Sequence, residues 1–101
     1  MAQKQQRTFF ARQAEVEKLL AKSVVEFGKL KDAKAQGKKV DDAAYAAALE
    51  AHRRAHVIWE NLAVSENSMG FHNYEEAMTS MAEARKQVRI ALAREKAALG
   101  K

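Results

Sequence analysis

No proline occurs anywhere in the 101 residues, and only four glycines do. These are the residues that stop helices and reverse strands, so a chain this poor in them has few places to turn. That scarcity points to a small number of long helices and argues against a sheet with many turns. Hydrophobic residues make up 48% of the chain but aromatic residues only 7%, so much of the apolar fraction is alanine. Alanine favours helix, yet burying one removes little surface from water. A single small domain with such a core is thinly packed, and a partner surface would help to complete it.

Periodicity places three helices. Phe9, Val16, Leu19, Leu20, Val24, Phe27 and Leu30 recur at spacings of three and four, one apolar stripe on a helix over about 5–36. Gly37 is a natural C-cap, and Lys34 and Lys38 suit the negative end of the helix dipole. The only linker-like stretch is Ala35–Lys39. A second helix, about 41–66, opens with Asp41 as cap, Asp42 at the positive dipole end, and Val40 and Tyr45 placed as a hydrophobic staple. Its expected seam is Tyr45, Leu49, His52, His56, Trp59 and Ala63, widened by Val57, Ile58, Leu62 and Val64. A third helix, about 74–99, begins where Asn73 and Glu76 have capping-box spacing and ends at Gly100. Ala77, Met81, Ala84, Val88, Ala91 and Ala98 form its seam, and their small side chains would let a partner helix come close. The expected architecture is all-α: three long antiparallel helices in up-down-up order, completing a helical dimer.

Eighteen Lys and Arg against thirteen Asp and Glu give a formal net charge of +5. Acids and bases alternate along every segment, however. The block Lys29, Lys31, Lys34, Lys38 and Lys39 reads as a solvated helix end rather than a nucleic-acid patch. The absence of cysteine excludes disulfides, thiolate metal sites, cysteine nucleophiles and covalent c-type haem attachment on this chain. The N-terminus lacks the apolar run of a signal peptide and no span suits a membrane, so the expectation is a soluble chain without its own export signal.

Independent catalysis has little support. Ser65 and Ser68 lie near His72 in sequence, but no acid is placed to orient that histidine, and Thr79 and Ser80 fall within a helix. His52 and His56 stand four apart, a spacing that can bring two imidazoles to one metal, but Arg53 takes the place of the HExxH glutamate. The plainer reading puts them on a helix seam, one edge buried and one nitrogen hydrogen-bonded.

The stretch "ENSMGFHN", residues 66–73, is apolar where a helix connection is normally polar. A histidine on a short loop between rigid helices is well presented as an axial haem ligand, with Met69 and Phe71 able to cover a flat macrocycle. On spacing alone the simpler reading is stronger: Met69 and Phe71 plug the bundle end and His72 caps a helix.

Residues 52–78, "HRRAHVIWENLAVSENSMGFHNYEEAM", alter that balance. They resemble the C-terminal helical region of the ammonia-forming multihaem cytochrome c nitrite reductases, also called cytochromes c-552. There a helix bearing an aromatic, often Trp followed by Asp, leads through an AENSMGFHNP-like loop into another long helix. The matching residues are Trp59, Ser65 through Asn73, and Ala77, and helix order fits from about Arg7 to Ala98. Three positions depart: Tyr74 stands for the usual Pro, Glu60 for the Asp after Trp59, and His56 for a common Gln. No CxxCH motif is present, nor any recognisable motif for the family's substrate-binding Arg, Tyr and His.

The resemblance implies a C-terminal domain cut from a larger periplasmic haem protein, with Met1 marking the cut. The parent would carry haem c and reduce nitrite to ammonium in a six-electron reaction. This chain would supply dimerisation and haem packing but no catalytic site. His72 would be a distal haem ligand, Met69 and Phe71 haem cover, and Trp59, Ile58 and Leu62 part of a homodimer interface. Its partners would be a second copy and the haem-bearing body of the same enzyme. The alternative is a free-standing helical interaction module for an acidic protein or nucleic acid.

Overall fold

The structure, a computed structural model, describes residues 2–69 and 74–100, with side chains described over 7–62 and 75–100. Three helices account for nearly all of it: α1 (Ala2–Ala35), α2 (Asp42–Met69) and α3 (Tyr74–Ala98). No strand occurs among the described residues. Glu66 through Met69 continue α2 instead of entering the connection, which leaves residues 70–73 between α2 and α3.

The helices run up, down and up. The start of α2 meets the end of α3, where the Asp41 N–H donates to the Ala98 carbonyl at 2.9 Å. Glu15 of α1 meets Arg85 of α3, and Ser23 meets Glu95, so these two helices ascend together. The result is a rod of 54 × 20 × 17 Å. At about 1.5 Å per residue, the 34 residues of α1 run most of its length.

The turn between α1 and α2 follows from its residues. Gly37 adopts φ 79°, which a side chain would oppose. Lys38 N–H reaches the Ala33 carbonyl and Gly37 N–H the Lys34 carbonyl, a Schellman closure. Asp41 Oδ1 then accepts from Ala43 and Ala44 N–H at 3.0 and 3.2 Å, capping α2. Both the glycine stop and the aspartate cap agree with the sequence expectation.

All six residues of the expected α3 seam are buried. The α2 seam is different. Ala44, Ala48, Ala51 and Ala55 are the buried row, each one position before Tyr45, Leu49, His52 and His56. Those larger residues occupy the flank: Tyr45, Leu49, His52 and Trp59 are half-buried, and His56 is exposed. Val24, expected on the α1 stripe, is 59% exposed, while Gln13, Ser23 and Ala33 join the buried face.

An alanine row on α2 facing Ala77, Ala84, Ala91 and Ala98 on α3 makes these two helices the most closely associated pair. A buried methyl contributes only about 0.8 kcal/mol, against about 1.5–3 for a large apolar side chain. Most apolar stabilisation therefore comes from Phe9, Val16, Leu20, Phe27 and Leu30 of α1 with Met81 and Val88 of α3. They divide into two clusters. One holds Phe9, Val16, Leu20, Ala55, Ala77, Met81, Ala84 and Val88; the other holds Phe27, Leu30, Ala44, Ala48 and Ala98.

Candidate functional site

Between the two apolar clusters lies a polar layer that apolar periodicity did not reveal. Ser23 and Glu95 occupy core positions on α1 and α3 and are 0% and 1% exposed. The Ser23 hydroxyl donates to Glu95 Oε1 at 3.0 Å, and His52 Nδ1 lies 2.9 Å from the same Ser23 oxygen. With the hydroxyl proton directed at Glu95, Ser23 accepts from His52 Nδ1–H, which leaves the His52 Nε2 lone pair free. Glu95 Oε2 is buried and finds no hydrogen-bond partner among the described residues.

Burial makes the charged forms costly. It pushes the Glu95 carboxyl up to about 7, against the opposing pull of the Ser23 hydrogen bond and with a smaller push from Glu26. Burial likewise lowers His52 below the usual imidazole value, and His56 beside it adds to that shift.

This trio is not a hydrolytic centre. In a nucleophilic triad the histidine stands between acid and hydroxyl so that it can take the hydroxyl proton. Here the serine stands in the middle, its proton directed at the acid, and it is fully buried where no substrate reaches it.

The flank of α2 continues from His52 as a ladder of rings. Phe27 lies edge-on to Tyr45 and to His52, with centroids 5.5 and 5.6 Å away. His52 and His56 are 9° from parallel at 6.4 Å, and Trp59 follows His56 at 6.1 Å. Four residues of the expected α2 seam, Tyr45, His52, His56 and Trp59, stand in this ladder. A further shallow groove, lined by Arg53, Val57, Ile58, Glu83 and Gln87, runs between α2 and α3.

The expected site residues are distributed as follows. Phe71 and His72 lie outside the described residues, and so does the side chain of Met69, which ends α2. Ser65 and Ser68 lie within α2, with side chains likewise outside that description. Ile58, Trp59 and Leu62 are half-buried and pack on the Phe9–Val88 cluster. Part of their surface is thus already covered by the chain itself. No helix among the described residues is long and apolar enough to cross a membrane.

The described residues form a three-helix bundle with a tight alanine seam between α2 and α3. The chain matches the family described as Cytochrome c552 over residues 1–101. It belongs to that family. Neither a curated protein nor a solved structure matches it.

The family implies haem in the parent protein. The bundle interior does not fit that group: the α2–α3 seam is filled by close alanines, and His52 Nδ1 is committed to Ser23. With no cysteine, the chain offers no thioether anchor. The third histidine, His72, lies outside the described residues.

Proposed function

We propose that this chain is the C-terminal helical domain of a periplasmic cytochrome c nitrite reductase, which reduces nitrite to ammonium. In this reading the domain packs against the haem-bearing body and pairs two copies of the enzyme. The segment between α2 and α3 lies against a haem of the body, with His72 as its distal ligand and Met69 and Phe71 excluding water. The haem supplies electron transfer; the chain supplies a neutral imidazole held between two long helices. The observation that carries the reading is the "ENSMGFHN" stretch spanning the α2–α3 junction of a chain that matches the family over its full length.

His72→Ala in the full-length haem protein, followed by electron paramagnetic resonance, tests it. One low-spin bis-histidine signal should become high-spin or show a changed ligand. Unchanged spin state and ligation at every haem would overturn the assignment.

Pairing of two copies is proposed through the exposed remainder of α2. Val57 is 54% exposed, and Ile58, Trp59 and Leu62, though packed on the core, each keep part of their surface open. Apolar surface left open on a helix favours a second copy. Sedimentation equilibrium should give a dimer at micromolar concentration; a monomer persisting toward millimolar would count against it.

A further inference from the structure

His52 and His56 take no part in the haem-packing reading, yet their surroundings have the form of a ligand site. They stand one turn apart on α2, with rings 9° from parallel and centroids 6.4 Å apart. His56 is exposed and His52 half-buried. On the inner side, His52 Nδ1 is 2.9 Å from Ser23 Oγ, which passes a hydrogen bond to Glu95 at 3.0 Å. Metal-bound histidines are commonly held in this way. The ring nitrogen away from the metal gives its proton to an acceptor, often one backed by a carboxylate, which fixes the tautomer and ring plane.

The geometry points to His52 and His56 as a labile, solvent-facing site for a late first-row divalent cation. Ser23 and Glu95 act as positioning residues that keep the His52 Nε2 lone pair available.

Imidazole nitrogens suit copper, nickel and zinc, and among these Cu²⁺ binds such a site most tightly. Bonds of roughly 2 Å to each nitrogen require the rings to tilt toward each other. His56 can make that movement because it is on the surface, so no core residue has to shift. Among the described residues, no group of three or more ligating side chains is gathered for a metal. Water would therefore fill the remaining positions, which makes the site exchangeable rather than structural. Competing imidazole and thiolate donors in the chain are few: it has no cysteine and one further histidine, His72. Trp59, the only tryptophan, lies 6.1 Å from His56 and reports on the site directly.

The experiment is a titration of the 101-residue chain with CuCl₂ in a weakly coordinating buffer at neutral pH. Tryptophan fluorescence and copper electron paramagnetic resonance are followed together. One equivalent should quench Trp59 and show two coordinated nitrogens. His56→Ala, an exposed substitution, should weaken binding at least tenfold and leave one nitrogen. Ser23→Ala, with helicity checked by circular dichroism, should keep two nitrogens but weaken binding by roughly 10–100-fold. Wild-type binding through a single nitrogen, His56→Ala binding as tightly as wild type, or a loss that follows His72→Ala instead would each overturn the assignment.

Discussion

At one end of the rod, where α1 turns into α2, the backbone closes the structure. Gly37 and Lys38 return to carbonyls of α1, Asp41 caps α2, and its N–H reaches the end of α3. The apolar cluster there buries Phe27, Leu30 and three alanines, with Val40, Tyr45, Leu49 and Leu99 packed against it. The other end, toward the α2–α3 junction, buries more bulk: Phe9, Val16, Leu20, Met81 and Val88 beside three alanines, with Leu19, Ile58, Trp59, Leu62 and Met78 partly buried against them. The first end satisfies itself through hydrogen bonds. The second buries more large side chains among its described residues, and part of Ile58, Trp59 and Leu62 stays open, which is where the proposed haem-bearing body and second copy would come in.

Removing bulk should have the largest effect. Phe9→Ala should cost about 3–5 kcal/mol in urea unfolding, since Phe9 is fully buried in the side-chain-built end. A loss below about 1 kcal/mol would show that this end is not held by packing at Phe9.

The polar layer between the ends should be next. Glu95 rises from 4.5 to about 7 on folding. An acid shifted upward stabilises fully below its unfolded value, and that contribution is lost as pH rises through the folded one. The shift corresponds to about 3 kcal/mol, lost mostly between about pH 4.5 and pH 7. His52 is shifted downward, so its contribution has the opposite sign: it is present above 6.5 and lost as pH falls below. Glu95→Gln should therefore gain on wild type from about pH 4.5 to pH 7 and level off above that. A pH-independent difference between the two would remove the ionisable layer from the picture.

At the backbone-closed end the effect should be smaller. Asp41→Ala removes the acceptor for Ala43 and Ala44 N–H and should cost about 1 kcal/mol by thermal or urea unfolding. A cost matching Phe9→Ala would erase the distinction between the two ends.

The same contrast explains what could be read from sequence. The closed end was legible because Gly37 and Asp41 act locally, each satisfying groups a few residues away. The α3 seam was legible because its apolar letters keep one rhythm. That rhythm passes through position 95 between Ala91 and Ala98, where a glutamate goes unseen by a search for apolar residues. Gln13 and Ser23 were missed on α1 for the same reason. On α2 two rows share one spacing, offset by a residue. The row of larger residues drew attention, although the alanines faced α3 because only they allow so close an approach. The ladder from Tyr45 to Trp59 came from that flank, and the Ser23–Glu95–His52 trio became visible only once three helices were brought together.

The most direct test of the two-ended bundle is a carbon-13 NMR titration of the Glu95 side-chain carboxyl. If an ionisable layer separates the two apolar ends, the resonance should titrate near 7, well above the ordinary 4.5. A midpoint near 4.5 would contradict it, because Glu95 would then lie in water and the two clusters would not be divided by a buried acid.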